Sequence, residues 1–151
     1  MKAVVVGAGL AGCEAAWVLA NGGVSVELIE MKPYRRSPAH HTDMFAELVC
    51  SNSLKAARLD SAAGLLKQEL RLMDSLCMRA ADRHRVAAGG ALAVDRTRFS
   101  GEITERISAH PNIRIITREQ ADIPKTKPVV IATGPLTDRA FAREIRTLCG
   151  E

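Results

Sequence analysis

Three glycines and one carboxylate have the spacing of a nucleotide-binding turn. Gly7, Gly9 and Gly12 form a GxGxxG pattern directly after the apolar segment 2–6, and Glu30 follows 18 residues after Gly12. The first glycine permits a tight turn, the second lets backbone N–H groups approach a pyrophosphate, and the third lets a helix lie close to a strand. The helix N-terminus favours phosphate, and a carboxylate at Glu30 can accept hydrogen bonds from ribose hydroxyls. These residues predict a dinucleotide site, and the alternative is a tight turn without a ligand.

The elements that position this turn follow from the apolar pattern. Residues 2–30 predict a strand, a helix ended by Gly22-Gly23, and a second strand with Glu30 at its carboxyl end. An insertion covers residues 31–112, and later strands fall within 113–134. The predicted fold class is α/β, a Rossmann-like domain with a helical insertion after the second strand.

Two features favour FAD over NAD as the dinucleotide. The long insertion delays the third strand, which usually follows soon after the second in NAD-type units. The segment VVIATGP also predicts a buried strand that ends at Thr133-Gly134, where a strand end meets the cofactor in two-dinucleotide flavoproteins. We therefore expect an FAD-binding domain of the glutathione-reductase type, with Gly134 near the cofactor.

The segment after Glu30 is rich in proline and basic side chains. Pro33 and Pro38 exclude a helix there. A solvated basic loop and a loop over the cofactor or an anionic substrate both fit this composition. Adjacent histidines are poorly placed to share one tetrahedral ion, so no metal site is predicted. The basic residues of this loop are Lys32, Arg35, Arg36, His40 and His41.

Cys50 is the cysteine whose surroundings could favour a reactive thiol. It lies in LVCSNSL, among small polar residues that indicate a turn or a helix start, close to the basic loop. A buried structural thiol fits the spacing equally well. The other cysteines, Cys13, Cys77 and Cys149, are predicted to be packing or surface residues.

The apolar spacing predicts a long helix over residues 61–85. Asp60 is its expected N-cap, and the expected core positions are Leu66, Leu70, Met73, Cys77 and Ala80. A tight turn at Gly89-Gly90 follows. Further helices are predicted over residues 98–109 and 137–149.

Length and composition exclude several classes of protein. The chain has 151 residues, 47% of them hydrophobic, and a net charge of +4, which is typical of one globular domain. No apolar run is long enough for a membrane span, no leader peptide is evident, and four scattered cysteines do not indicate a disulfide framework. These features predict a cytoplasmic protein without a membrane partner. An aromatic fraction of 3% argues against a base-stacking sheet.

Several segments together closely resemble the folate- and FAD-dependent tRNA (uracil-5-)-methyltransferase family. They extend along nearly the whole chain, and the SPAHHTD…VCSNS block is the most specific. The sister family that modifies the wobble uridine usually opens with a GGGHAG-like turn, which GAGLAG does not match. The segments are GAGLAGCEAAW, SPAHHTDMFAELVCSNSL, GLLKQEL, HRVAAGGALAVDR and IATGPLT.

The resemblance implies methylation of uracil C5 in the tRNA T-loop to 5-methyluridine. Methylenetetrahydrofolate would donate the carbon, and FAD reduced by NAD(P)H would supply electrons. Cys50 would be the nucleophile, and Arg96 would face the flavin or substrate unless it pairs with Asp95 or a neighbour. Lys32, Arg35 and Arg36 could meet tRNA phosphate. The cofactor-binding residues would be Gly7, Ala8, Gly9, Leu10, Ala11, Gly12, Glu30, Lys32 and Gly134.

The chain departs from the family in length. Family chains are considerably longer and contain a second functional cysteine and a later FAD-binding segment. Residues 1–151 are therefore expected to be the N-terminal portion of an incomplete FAD-binding domain, marginally stable and inactive alone. The alternatives are a non-catalytic FAD-binding fragment, the wobble-uridine-modifying flavoprotein, and a generic FAD-dependent oxidoreductase, which would not need the SPAHHTD…VCSNS block.

Overall fold

A computed structural model describes residues 1–126 and 128–150. Lys127, within the segment 113–134 that is predicted to hold the later strands, and Glu151, the last residue of the predicted domain, lie outside the described residues. In the described part, no helix is long and apolar enough to cross a membrane. The elements in chain order are β1 (Lys2–Val6), α1 (Leu10–Asn21), β2 (Ser25–Glu30), β3 (Ser53–Ala56), α2 (Ala62–Leu72), α3 (Leu76–Arg83), β4 (Arg85–Val86), β5 (Ala91–Val94), α4 (Arg96–Ala109), β6 (Ile113–Thr117), β7 (Val129–Ile131) and α5 (Arg139–Cys149).

A four-stranded parallel sheet with the order β6-β2-β1-β7 forms the centre of the molecule. Val5 of β1 stands opposite Leu28 of β2 and Val130 of β7. β1 consists almost entirely of buried aliphatic residues, as expected for a strand covered on both faces. The parallel order places the carboxyl ends of β1, β2 and β7 at one edge, where the glycine turn lies. The predicted α/β Rossmann-like class is confirmed.

One face of the sheet is covered by α1, α3 and α4. Side chains from these helices form a continuous core with the sheet, and Leu76, Phe99 and Ile103 are fully buried in it. α3 and α4 belong to the predicted insertion, and their apolar side chains belong to the same core as those of β1 and β2. The opposite face is covered by α5, whose Phe141 packs against Val4, Val6 and Ile29.

A small antiparallel sheet with the order β3-β5-β4 lies within residues 53–94. The sequence predicts the Gly89-Gly90 turn but no strands around it. β3 has only four residues and β4 only two, so neither is long enough for an alternating apolar pattern to identify it as a strand.

The prediction of one helix over residues 61–85 is wrong. The segment forms α2 and α3, separated where Asp74 has a φ of +57° and the Ser75 side chain accepts a hydrogen bond from the Met78 N–H at 3.1 Å. Ser75 is thus the N-cap of a new helix. The predicted N-cap at Asp60 is also wrong, because Ser61 caps α2 by accepting from the Gly64 N–H at 3.1 Å.

The break changes which side chains are buried. Leu66 and Met73 were expected in the core but are 55% and 66% exposed. Leu70 and Cys77 are partly buried and Ala80 is fully buried, as predicted. One continuous helix would place all five side chains on one stripe, whereas two helices with a reversal at Asp74 leave α2 at the periphery of the molecule.

Candidate functional site

The turn from β1 to α1 is built by two glycines that tolerate no side chain. Gly7 has a φ of +97°, and a Cβ there would lie 2.7 Å from the Ala132 carbonyl oxygen. A Cβ on Gly12 would lie 1.8 Å from the Gly7 carbonyl oxygen, because α1 lies directly against the turn. The chain therefore turns tightly and brings the first turn of α1 to the edge of the sheet.

Gly9 occupies open space at the same turn. No atom lies within 4 Å of a Cβ built on it, and it is the N-cap of α1, with no side-chain hydrogen bond to the helix. The first backbone N–H groups of a helix lack partners within the helix and carry partial positive charge, so this end of α1 suits an anion. Leu10 and Ala11 supply the first helical N–H groups and are exposed.

A cavity of about 300 Å³ opens over this turn. It is lined by the ends of β1, β2 and β7 and by the loops that follow them, so it collects residues distant in the chain. The predicted cofactor residues Gly7, Ala8, Gly9, Leu10, Ala11, Glu30, Lys32 and Gly134 all line it, together with His40, Glu47, Val49, Arg118 and Thr133 among others. Gly12 does not line it and instead holds α1 against the turn.

The Glu30 carboxylate connects β2 to the glycine turn. It is 7% exposed, and its two oxygens accept hydrogen bonds from the Ala8 N–H at 2.7 Å and the Lys32 N–H at 3.0 Å. Each carboxylate oxygen has capacity for a further hydrogen bond, so Glu30 can also accept from hydroxyl groups in the cavity. A buried carboxylate at this position is suited to a ribose.

Gly134 reaches the cavity from the end of β7. It has a φ of +72°, and no atom lies within 4 Å of a Cβ built on it. Thr137 stabilises the loop by donating to the Gly134 carbonyl oxygen at 2.7 Å, and the Thr133 and Thr137 hydroxyls lie 2.6 Å apart. Gly134 therefore lines the cavity with backbone that no neighbouring atom covers on the side where a Cβ would stand.

Lys32 lines the cavity, but its ammonium group is engaged elsewhere. The side chain is 4% exposed, and Nζ donates to the Met44 carbonyl oxygen and lies 3.9 Å from Oε2 of Glu47. The Glu47 carboxylate also accepts from the His41 and Thr42 N–H groups at 3.0 and 3.2 Å. Partial burial opposes ionisation of Glu47, but these N–H groups and the Lys32 charge outweigh it and lower its pKa.

The two arginines of the loop are paired with acids. Arg35 contacts Glu119 and lies 3.0 Å from Asp138, and thereby connects the loop to residues beyond β6 and to the start of α5. Arg36 pairs with Asp43. All these groups are at least partly exposed, so each pair contributes little to the stability of the fold.

The four cysteines are free and differ in exposure. Cys50 and Cys149 are exposed, whereas Cys13 is buried and Cys77 is partly buried. Burial raises the pKa of Cys13 to about 12 and also raises the pKa of Cys77, so neither is suited to act as a thiolate. Cys50 does not line the cavity, but its neighbour Val49 does.

Arg96 lies at the start of α4, near the segment that carries Cys50. Its Nη1 atom is 3.5 Å from the Leu48 carbonyl oxygen. The alternative ion pair with Asp95 is not formed, because the Asp95 side chain instead caps α4 through the Arg98 N–H at 3.0 Å and lies near Arg98 Nε.

The sequence does not single out His40 or Glu47 as residues of this site. It indicates His40 only as one of several basic residues of a loop that could cover the cofactor. Its Nδ1 atom lies 2.7 Å from the Ser37 hydroxyl, and the ring lines the cavity. Glu47 lies in an irregular segment, so no periodic pattern marks it. Its hydrogen bonds come from backbone N–H groups, which leave no signal in the sequence.

Comparison with known proteins identifies the relatives of this chain. It is 59% identical over 147 residues to a protein of Desulfitobacterium hafniense (strain Y51) named methylenetetrahydrofolate--tRNA-(uracil-5-)-methyltransferase TrmFO, covering 97% of this chain and 34% of that protein. A protein of the same name from Anoxybacillus flavithermus is 53% identical over 151 residues, which is 100% of this chain and 35% of the relative. The chain thus spans about a third of the length of the curated relatives that it matches.

Solved structures share the fold at low sequence identity. Aquifex aeolicus GidA matches with a TM-score of 0.65 at 18% identity, over 83% of this chain and 21% of that one. FqzB matches with a TM-score of 0.54 at 16% identity, over 100% of this chain and 39% of that one. The family model described as "Glucose inhibited division protein A" matches residues 2–148. The chain therefore belongs to the glucose inhibited division protein A family.

Proposed function

We propose that this chain is the FAD-binding part of a methylenetetrahydrofolate- and FAD-dependent tRNA (uracil-5-)-methyltransferase. The observation that carries the proposal is the identity of 53–59% to relatives of that name over nearly the whole chain. The cavity supports the proposal, because it opens over the glycine turn at residues 7–12, and this turn lies within the segment that matches the relatives. The product would be 5-methyluridine in the T-loop of tRNA.

The fit of FAD is supported by the shape of the turn. The bare backbone at Gly9 and Gly134 leaves room for phosphates, and the N-terminus of α1 stabilises their negative charge. Glu30 would accept from the adenosine ribose, and its charge would repel a ribose phosphate. Besides Gly9, Gly134 and Glu30, the residues proposed to contact the cofactor are Gly7, Ala8, Leu10 and Ala11. Gly12 would hold α1 against the turn.

Cys50 is the proposed nucleophile. Its thiolate would form a bond to C6 of the target uracil, and the electron pair displaced onto C5 makes that carbon nucleophilic toward the one-carbon unit. FAD, when bound and reduced by NAD(P)H, would supply the electrons for reduction of the transferred carbon. The exposure of Cys50 and its position next to the cavity-lining Val49 support this role.

The co-substrates and location follow from the same proposal. Methylenetetrahydrofolate, NAD(P)H and tRNA would be the partners, and the cytoplasm the location. Arg35 and Arg36 would contribute only in part to the binding of tRNA phosphates, because both already pair with carboxylates of this chain.

The visible absorption spectrum of the purified chain, after incubation with FAD and removal of free cofactor, tests the proposal. We expect bound flavin in the parent chain and at least about tenfold weaker binding in Gly9→Ala, because the new methyl group enters the space proposed for the pyrophosphate. Gly90→Ala is the matched control, since its Cβ would meet only the Arg58 side chain at 3.7 Å or more. Equal binding by both variants would contradict the proposed phosphate site.

A second candidate is a binding module that has no chemistry of its own. The observation that favours it is that Cys50, the proposed nucleophile, does not line the cavity. Turnover distinguishes the two: 5-methyluridine formation on a T-loop RNA by this chain with FAD, a nicotinamide and methylenetetrahydrofolate would exclude the binding module.

A further inference from the structure

We propose that Lys32 is a positioning residue for Cys50, because it anchors the first residue of the segment that carries this thiol. We call residues 44–50 the strap, which begins at Met44 and ends at Cys50. The strap has no helix or strand of its own. Its position therefore depends on hydrogen bonds of its backbone and on the packing of Phe45, Ala46 and Leu48 in the core.

The start of the strap is held by a buried charge. Lys32 Nζ donates to the Met44 carbonyl oxygen, and its side chain is only 4% exposed. An ammonium group removed from water to this extent is stabilised by its acceptors, here the Met44 carbonyl and the Glu47 carboxylate at 3.9 Å. Lys32 lies two residues after Glu30, the last residue of β2, so the strap is fixed to the edge of the sheet that carries the cofactor site.

The middle of the strap is held by the glycine turn and by α4. The Phe45 N–H donates to Thr104 Oγ1 at 2.8 Å, and the Ala46 N–H donates to the Ala8 carbonyl oxygen at 2.9 Å. The Ser100 hydroxyl donates to the Ala46 carbonyl oxygen at 3.2 Å. Ala46 is buried and has a φ of +50°, a conformation that an alanine keeps only where its surroundings impose it.

These contacts make the strap a link between the cofactor turn and the thiol. Ala8 donates to Glu30 and accepts from Ala46, so one residue joins the proposed ribose ligand to the strap. Past the strap, Asn52 pairs with Val94 through both backbone and side chain, which fixes the other side of Cys50. Lys32 is the one side chain in this set that carries a buried positive charge, and its loss would leave the Met44 carbonyl without its donor.

The first test is amide exchange in the purified chain. In Lys32→Met, which keeps the length of the side chain but not its charge, we expect the Phe45 and Ala46 amides to exchange about tenfold faster, because hydrogen bonds to charged groups are among the stronger contacts in a protein. Amides of β1 and β2 should exchange as in the parent chain. Lys55→Met, at an exposed lysine, is the matched control.

The second test reports on Cys50 itself. A nitroxide label on Cys50 in a Cys149→Ser background should become more mobile in Lys32→Met, whereas a label on Cys149 in a Cys50→Ser background should not change. Unchanged exchange at Phe45 and Ala46, or an unchanged Cys50 label, would overturn the proposal. If Lys32→Met does not fold, Lys32→Gln replaces it under the same criteria, because it removes the charge and shortens the side chain that reaches the Met44 carbonyl oxygen.

The significance of the inference rests on the proposed role of Cys50, but its test does not. Exchange and label mobility are measured without FAD or RNA. A chain that binds no FAD would contradict the proposed function and leave the anchoring of the strap measurable. A loose Cys50 label in the parent chain that is insensitive to Lys32 would contradict the anchoring alone.

Discussion

At the residue scale, Gly12 and Gly9 serve different purposes although both belong to one motif. Gly12 is required by packing, since a Cβ would lie 1.8 Å from the Gly7 carbonyl oxygen. We expect Gly12→Ala to lower the free energy of unfolding by about 3 kcal/mol, at the upper end of the usual cost of overpacking, because backbone must move. Urea unfolding followed by circular dichroism measures it.

Gly101→Ala is the control for this substitution. A Cβ at Gly101 would lie 3.9 Å from Met44 Sδ, an ordinary contact, and alanine is favoured over glycine inside a helix such as α4. This variant should therefore be at least as stable as the parent chain. A Gly12→Ala chain as stable as Gly101→Ala would show that α1 can move away from the turn at little cost.

The residues of the glycine turn were predictable because their signal is local. A backbone that must turn tightly and approach both a helix and a ligand excludes side chains, and that exclusion is visible as the spacing of Gly7, Gly9 and Gly12. The engagement of Lys32 with Met44 was not predictable. It depends on a backbone carbonyl twelve residues away in a segment without regular structure, and any residue can supply a carbonyl.

At the element scale, Glu14 of α1 caps the N-terminus of α3. Its carboxylate accepts from the Ser75 hydroxyl at 2.9 Å and from the Leu76 and Cys77 N–H groups, each at 3.0 Å. The negative charge of Glu14 at the N-terminus of α3 also interacts favourably with the helix dipole. The contact joins α1, from the cofactor turn, to α3, from the insertion.

Glu14→Gln should lower the free energy of unfolding by about 1–3 kcal/mol, because the amide loses the charge and one of the two acceptor oxygens. Thermal unfolding of the two chains measures the difference. Glu105→Gln, at an exposed position of α4, is the control and should unfold with the parent chain. A Glu14→Gln chain that unfolds with the control would mean that α3 is held by its apolar face alone.

The break between α2 and α3 explains why element boundaries were partly mispredicted. The apolar spacing continues through Met73 to Cys77, so periodicity alone favours one helix. The decisive contacts are Ser75 with Met78 and Ser75 with Glu14, and the second spans 61 residues. The local signal of the break is Ser75, the N-cap of α3. The apolar spacing that continues on both sides of it favours one helix and outweighs that signal.

At the scale of the whole molecule, helices from distant parts of the chain cover the two faces of the sheet. α1, α3 and α4 cover one face and α5 the other, so folding requires long-range contacts on both. Glu102 of α4 joins two of these elements: it contacts Arg83 and His84 at 2.9 and 2.8 Å, and Arg106 within its own helix at 2.7 Å. Its ionisation is therefore coupled to the docking of α3 on α4.

The acid dependence of unfolding tests this coupling. Burial opposes ionisation of Glu102, but the hydrogen bond from Arg106 and the charges of Arg106 and Arg83 outweigh it and lower the pKa from 4.5. Because the folded-state pKa is the lower one, the stabilisation is complete above the unfolded value and is lost as the pH falls through the folded value. Glu47, whose pKa is also lowered, adds to the same loss.

We expect the free energy of unfolding, measured in urea between about pH 6 and about pH 3, to fall less steeply with acid in Glu102→Gln than in the parent chain. Glu105→Gln, on the exposed side of the same helix, should keep the parent slope. Part of the remaining slope in Glu102→Gln should come from Glu47, so the double variant Glu47→Gln, Glu102→Gln should be flatter again. Parallel curves for the parent chain and Glu102→Gln would mean that Glu102 is as favourably ionised in the unfolded chain as in the folded one, and that α3 docks on α4 through its apolar side chains.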